Sequence, residues 1–175
     1  MKVTMQIPQQ HKQNSSQNPS QDTSTKAQET PRAARLGYDE IRQGAIYMFE
    51  RTITLQDMQD FARLSGDFNP LHMDPAFAKT TPFANNVMHG MLAASLFSTL
   101  VGMHCPGQDA LYLQQTLHFR QPLFPGDRVK VKGTVTQKND AVRIITLKTE
   151  IFRIEGGIPA AAAAITGEAK VQVRE

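Results

Sequence analysis

The pattern of apolar and polar positions divides the chain into a polar N-terminal segment and a folded body. Residues 1–35 consist mostly of Gln, Ser, Thr, Asn, Pro and Lys. Such a segment offers too little apolar surface to offset the conformational entropy that folding would cost. We therefore predict a disordered tail over residues 1–35 and one folded domain over residues 36–175.

The first part of the body predicts a strand followed by an amphipathic helix. β-Branched and aromatic residues are concentrated in residues 46–53, which is typical of a strand. Thr54 is a suitable N-cap for a helix that Gly66 ends. A loop over residues 67–72 follows, and then a short helical turn at residues 75–79, because proline suits the first turn of a helix. The apolar face of the first helix consists of Leu55, Met58, Phe61, Ala62 and Leu64.

The most apolar stretch of the chain covers residues 89–103. Apolar side chains occupy nearly every face of a helix drawn through it, and a helix of this kind is expected to be buried. Small residues recur at every fourth position and would let another element approach closely. These residues are Gly90, Ala94, Ser98 and Gly102.

Strand-like runs make up the rest of the body. They cover residues 110–119, 127–137, 141–153 and 161–173, and turn residues separate them. The last run is ambiguous, because its four consecutive alanines could also propagate a helix. We predict an α+β fold, in which an antiparallel sheet wraps around a long central helix and the last four strands follow one another in a meander-like succession.

Charge and composition exclude several classes of protein. The net charge of +3 lies entirely in residues 1–35, and the body carries fourteen charges of each sign, so there is no basic surface typical of nucleic-acid binding. Cys105 is the only cysteine, so no intrachain disulfide can form. The apolar run at residues 91–103 is too short to span a bilayer. We therefore expect a cytoplasmic protein with neither a membrane nor a nucleic acid as a partner.

Candidate chemistry is concentrated between Asp67 and Gly90. Asp67 and His72 lie five positions apart around Asn69-Pro70, and two unlike proton-transfer groups in one constrained loop could hold a water molecule between them. Asp and Asn before Pro are also common turn formers, and a single histidine is more often hydrogen-bonded at the surface. The residues alone leave both interpretations open.

Gly90 and Ser98 are weaker candidates. The start of a helix exposes unpaired N–H groups, so Gly90 could stabilise a developing oxyanion, although close helix packing would also explain a glycine there. Ser98 lies about 12 Å farther along the same helix. It cannot easily serve the same oxygen within one subunit, and a buried hydroxyl bonded to the backbone is the simpler interpretation.

Metal and cofactor chemistry find little support in the sequence. The chain has several potential metal ligands, but no pair has the spacing of a typical zinc motif, and there is neither a P-loop nor a dinucleotide-binding glycine pattern. We expect no metal and no cofactor. Cys105 is expected to be a packed thiol.

Several segments together resemble the MaoC-like (R)-specific enoyl-CoA hydratases. The resemblance extends from about residue 44 to the C-terminus and leaves the N-terminal tail unmatched. It rests on Gly-Asp-Phe-Asn-Pro-Leu-His-Met-Asp at residues 66–74, Val-Met-His-Gly-Met-Leu-Ala-Ala-Ser-Leu at residues 87–96, Pro-Gly at 106–107, Tyr-Leu-Gln-Gln at 112–115, Phe-Arg-Gln-Pro at 119–122 and Gly-Asp at 126–127.

The resemblance implies a hot-dog fold and the reversible hydration of a trans-2-enoyl-CoA to an (R)-3-hydroxyacyl-CoA, a product that polyester (polyhydroxyalkanoate) synthesis can use. It assigns the acid/base pair to Asp67 and His72, and the N–H group that polarises the thioester carbonyl to Gly90. It also places Ser98 on a serine tied to activity, and Asn69 and His89 beside the substrate. No cofactor is implied.

The resemblance further implies a homodimer with active sites at the subunit interface. Gly90 and Ser98 could then act on one substrate from different subunits. Rival functions are another hot-dog thioester enzyme, such as an acyl-carrier-protein dehydratase or a thioesterase, and a non-catalytic module that binds acyl thioesters. The preferred acyl chain length cannot be read from the residues.

Overall fold

The computed structural model describes residues 31–174, which form one antiparallel sheet, a central helical stretch and shorter helices that precede this stretch. The predicted disorder of the tail concerns residues that lie almost entirely outside this range. Within it, Ala34 already donates a backbone hydrogen bond to Met103 and accepts one from Gln108. Ordered backbone therefore begins slightly before the predicted boundary at residue 36.

The first helix, α1 (Leu55–Ser65), has the ends that the sequence predicts. Thr54 and Asp57 form a reciprocal capping box, in which the Thr54 hydroxyl accepts from the Asp57 N–H and the Asp57 carboxylate accepts from the Thr54 N–H. Gly66 ends the helix in the left-handed conformation, with φ of 78°, and donates to Ala62. Both ends are fixed by local hydrogen bonds, which explains why the sequence alone locates them.

The stretch after α1 differs from the predicted loop. Residues Pro70–Met73 form a short helix, α2, so His72 lies on a helical turn. Asn69 is its N-cap and accepts from the Leu71 N–H, and Pro70 occupies the first helical position. The Asn-Pro pair therefore starts a helix here instead of directing an open loop. The predicted turn that follows is present as α3 (Pro75–Ala78).

The predicted central helix is present at residues 90–104 but is not uniform. It consists of α4 (Gly90–Ala94), α5 (Leu96–Thr99) and a π-helical turn (Leu100–His104). Ser95 interrupts the first part, because its hydroxyl donates back to the Leu92 carbonyl, which competes with regular helical bonding. The π-helical turn is closed by a hydrogen bond from the Cys105 N–H to the Leu100 carbonyl.

The sheet confirms the predicted antiparallel architecture and corrects its strand order. The order is β1-β3-β4-β6-β2, and the two-residue β5 pairs only with β4. Strands β3, β4 and β6 succeed one another as a meander, but β2 crosses to the far edge beside β6 instead of pairing with β3. The predicted run at residues 161–173, which could have been a strand or a helix, contains strand β6, and its four consecutive alanines directly precede this strand. The strands are β1 (Ile46–Thr52), β2 (Ala110–Phe119), β3 (Arg128–Asn139), β4 (Ile144–Glu155), β5 (Ile158–Pro159) and β6 (Ile165–Val173).

The concave face of the sheet packs against the central helical stretch. Phe97 and Leu100 lie in one buried cluster with Val129, Val131 and Ile151. Gly133 allows this close approach, because a Cβ atom there would lie 2.7 Å from Leu100 Cδ2. The hot-dog arrangement implied by the resemblance is thereby confirmed. Within residues 31–174 no helix is long and apolar enough to cross a membrane.

Candidate active site

Asp67 follows the end of α1 and is positioned mainly by its own loop. Its N–H donates to Ser65 Oγ at 3.2 Å, and its Oδ1 accepts from the Asn69 N–H at 3.1 Å. The side chain is 48% exposed. One carboxylate oxygen therefore closes the turn, while the carboxylate as a whole stays accessible to a small molecule such as water.

His72 is anchored through one ring nitrogen, and its other ring nitrogen has no hydrogen-bond partner among residues 31–174. Its Nδ1 lies 2.7 Å from the carbonyl oxygen of Val87. A carbonyl oxygen can only accept, so the Nδ1 atom carries the proton and donates it. Nε2 is then left with a lone pair, which is the state needed to accept a proton from water.

His89 joins these two side chains in space. One potential ligand atom from each of Asp67, His72 and His89 lies within 4.8 Å of the others. The imidazole rings of His72 and His89 are tilted by 34° with their centroids 4.1 Å apart. The sequence predicts the proximity of the first two residues, and the structure shows it. The position of His89 beside them was not predicted from the spacing.

These three groups form an arrangement that suits proton transfer better than metal binding. His89 Nε2 lies 2.9 Å from the carbonyl oxygen of Asp67 and 4.0 Å from the carboxylate of the same residue. The carbonyl can only accept, so Nε2 carries a proton and has no lone pair for a metal ion. The carboxylate of Asp67 and the Nε2 atom of His72 remain as the two proton acceptors of the cluster.

Gly90 starts the central helical stretch directly after His89. Among residues 31–174 its N–H group has no hydrogen-bond acceptor, as is usual at the first position of a helix. A Cβ atom at this position would lie 2.8 Å from Cε1 of Phe119. The absence of a side chain therefore has a packing reason. The role of the N–H group at a developing oxyanion stays a prediction.

A cavity of about 410 Å³ opens in front of His72 and Gly90. Its walls are otherwise largely apolar, which suits a hydrocarbon chain. Most of this wall could not be predicted from the sequence, because its members come from the segment between α3 and the central helical stretch, from that stretch itself, and from the end of the sheet where Phe119 pairs with Ile165. The apolar side chains that line it include Phe83, Met88, Met91, Phe119, Leu123 and Ile165.

The remaining candidates lie elsewhere. Asn69 uses its side-chain oxygen to cap α2 and is not part of the cavity wall. His89 is buried and does not line the cavity either. Ser98 is exposed on the single chain, so the interpretation of a buried hydroxyl is wrong.

Cys105 is not a candidate nucleophile. The thiol is buried, and burial raises its pKa to about 12, although a hydrogen bond with Tyr47 acts in the opposite direction. A thiol with this pKa stays protonated near neutral pH, whereas thiolates are the reactive form. The prediction of a packed thiol is confirmed.

Comparisons with known proteins agree with the geometry. A family model described as a MaoC-like domain matches residues 40–155. The (R)-specific enoyl-CoA hydratase of Aeromonas caviae is 51% identical over 113 residues, which cover 65% of this chain and 81% of that protein.

Two solved structures share the fold. One is an (R)-hydratase from A. caviae involved in PHA biosynthesis, with a TM-score of 0.70 and 44% identity over 76% of this chain and 97% of that chain. The other is an unliganded R-hydratase from Pseudomonas aeruginosa, with a TM-score of 0.74 and 34% identity over 82% of this chain and 88% of that chain.

Proposed function

This chain belongs to the MaoC-like dehydratase family, and on that basis we propose that it is an (R)-specific enoyl-CoA hydratase. The enzyme adds water reversibly to a trans-2-enoyl-CoA and forms an (R)-3-hydroxyacyl-CoA. The observation that carries the proposal is the convergence of Asp67 and His72 close to an apolar cavity that Gly90 also lines.

We assign the proton transfers to Asp67 and His72 acting as a pair. A water molecule between them donates its hydrogens to the carboxylate and to Nε2 of His72. As the water oxygen bonds to C3 of the enoyl group, the pair takes up one proton and returns it to C2 on the same face, so that the elements of one water are added. Because the two groups are coupled, the proton belongs to the pair and not to either residue alone.

Gly90 has the complementary role at the thioester. When C3 is attacked, negative charge develops on the thioester oxygen, and a fixed N–H donor lowers the energy of this state. The N–H group of Gly90 faces no acceptor among the described residues, and its residue lines the cavity. We therefore propose that the Gly90 N–H group donates a hydrogen bond to the thioester oxygen.

We further propose that the enzyme works as a homodimer. Strand β2 is an edge of the sheet, and Met91, Leu113 and Phe119 are about half exposed beside it. Met91 and Phe119 also line the cavity, so a second copy on this edge would complete the wall. Ser98 lies two helical turns after Met91 on the same exposed face and would then reach the partner's substrate.

The location and the metabolic use of the product stay predictions. The cytoplasm is the expected compartment. The (R)-3-hydroxyacyl-CoA product is expected to feed a reaction that consumes this enantiomer, such as polyester synthesis.

The proposal is tested by hydration of crotonyl-CoA and of a longer trans-2-enoyl-CoA, followed through loss of the enoyl thioester absorbance. The Asp67→Asn and His72→Gln variants are expected to lose about 10²- to 10⁴-fold in kcat, because each removes one acid/base group. Asp74→Asn is the matched control, since Asp74 only caps α3 and asparagine caps equally well.

Four outcomes would contradict the proposal. Unchanged enoyl-CoA in the presence of wild-type protein would leave a binding module as the remaining function. Release of free thiol would indicate a thioesterase, and turnover restricted to carrier-protein substrates would indicate an acyl-carrier-protein dehydratase. Full activity of both variants would refute the roles of Asp67 and His72.

A further inference from the structure

His89 is the most buried polar side chain of the site, and its contacts are not those of a substrate ligand. Only 2% of its surface is exposed, and it is not among the residues that line the cavity. Its ring lies against His72 on one side and against Phe61, with centroids 5.1 Å apart, on the other. The ring therefore fills the space between α1, α2 and the start of the central helix.

One hydrogen bond connects His89 to the candidate carboxylate residue. The Nε2–H group donates to the backbone carbonyl of Asp67 across 22 sequence positions. Every other hydrogen bond of Asp67 within the described part of the chain is made to Ser65 or Asn69, which are two residues away. His89 thus provides the hydrogen bond that ties this exposed turn to the body of the domain.

His72 is tied to the same segment by a different residue. Its Nδ1–H donates to the carbonyl of Val87, and the Val87 N–H donates to the carbonyl of Leu71. Residues 87–90 therefore contact each part of the site in succession. Val87 accepts a hydrogen bond from His72, His89 donates one to Asp67, and Gly90 lines the cavity.

We infer that His89 is a positioning residue, which fixes Asp67 relative to His72 and Gly90 without touching the substrate. The inference rests on the proposed hydratase function. A displacement of about 1 Å in an active site can reduce the rate by about 10²-fold. The loss of the hydrogen bond from His89 to Asp67 is therefore expected to lower kcat. Substrate affinity is expected to change little, since only 2% of the His89 surface is exposed and the side chain offers a substrate almost no contact.

The second nitrogen of His89 supports this assignment. Nδ1 is buried and has no hydrogen-bond partner among residues 31–174. A buried polar atom without a hydrogen-bond partner lowers the free energy of unfolding, so the unpaired Nδ1 atom destabilises the fold. A side chain present only for packing would be better replaced by an apolar one, which indicates that the Nε2–H donor is the reason for the histidine.

The experiment compares His89→Leu, which removes the donor, with His89→Gln, whose amide N–H can reach a similar position. We expect His89→Leu to lower kcat for crotonyl-CoA by about 10²-fold with KM within about twofold of wild type. His89→Gln is expected to recover most of the loss. His104→Gln is the control, because His104 is also stacked on an aromatic ring, Phe49, but at the opposite end of the helix.

Recovery in His89→Gln separates positioning from proton transfer, because glutamine cannot replace an imidazole as acid or base. Equal losses in both variants, or full kcat in folded His89→Leu, would overturn the inference. If wild-type protein fails to hydrate enoyl-CoA, the proposed function fails instead.

The hydrogen bond from His89 to Asp67 can also be tested in the wild-type protein, whether or not the variants fold and whether or not the enzyme hydrates enoyl-CoA. Nitrogen-detected NMR of the histidine rings at neutral pH should show the tautomer of His89 that carries its proton on Nε2 and has no proton on Nδ1. The opposite tautomer would overturn the inference, because Nε2 could not then donate to Asp67.

Discussion

At the scale of single residues, Gly90 combines a packing requirement with the role that we propose for it at the thioester. The missing side chain leaves room for the Phe119 ring, and Gly90 lines the cavity with an N–H group that has no acceptor among the described residues. Alanine at position 90 keeps the N–H group but places a methyl group against the ring. The two roles can therefore be separated by changing Gly90 and Phe119 together.

Gly90→Ala is expected to lower both the melting temperature and kcat/KM, because its Cβ would lie 2.8 Å from Phe119 Cε1. In a Phe119→Ala background the same substitution should cost little stability, since the clash is gone. Thermal unfolding of wild type, Gly90→Ala, Phe119→Ala and the double variant forms a double-mutant cycle, which measures the coupling between positions 90 and 119. Equal destabilisation in both backgrounds would show that Phe119 is not the reason for the glycine.

At the scale of elements, the sequence predicts those features that depend on local hydrogen bonds. Thr54 and Gly66 bracket α1 as expected, because both caps are made within a few residues. The interruption at Ser95 and the helix at Pro70 were missed, because serine and Asn-Pro are each compatible with two local structures. The contact of His89 with Asp67 could not be predicted, since it joins residues that only the tertiary fold brings together.

The capping box of α1 predicts a pH-dependent stability. The backbone hydrogen bond from Thr54 lowers the pKa of Asp57 below its ordinary value of 3.8, with a further contribution from Arg51, although partial burial acts in the opposite direction. Because the pKa of Asp57 is lower in the folded state, its carboxylate stabilises the fold fully at pH values above the ordinary pKa of 3.8. This stabilisation is lost as the pH falls through the lower folded value.

Asp57→Asn is therefore expected to reduce the free energy of unfolding by about 0.3 to 1 kcal/mol at pH 7, because it removes a negative charge from the first turn of α1. The difference from wild type should shrink as the pH is lowered below 3.8. Urea unfolding at a series of pH values measures this, and Asp60→Asn on the exposed side of the same helix is the control. A difference in unfolding free energy between wild type and Asp57→Asn that stays constant as the pH falls well below 3.8 would contradict the stabilising role of the ionised Asp57 carboxylate.

At the scale of the whole molecule, the two faces of the sheet differ in what they can contact. The concave face is filled by the central helical stretch, while the outer face carries charged side chains such as Glu150, which pairs with Lys132 and Lys148. The exposed apolar side chains beside β2 lie at the edge, next to the cavity. This asymmetry favours association through the β2 edge.

Leu113→Asp is expected to disrupt the proposed dimer, because it places a charge among apolar side chains at the edge strand. Sedimentation should then show a monomer with much lower hydratase activity than wild type. Ile158→Asp, at an exposed apolar position on β5, is the matched control and should leave mass and activity unchanged. A wild-type protein that sediments as a fully active monomer would refute the dimer.

The proposed role of Asp67 and His72 is to direct water to one face of an enoyl-CoA. It is tested most directly by the configuration of the product that purified wild-type protein forms from crotonyl-CoA. After hydrolysis of the thioester, chiral chromatography should show (R)-3-hydroxybutyrate, and the amount formed per unit time should fall sharply in Asp67→Asn and His72→Gln. An (S) product, a racemic product, or no hydration at all would contradict the account.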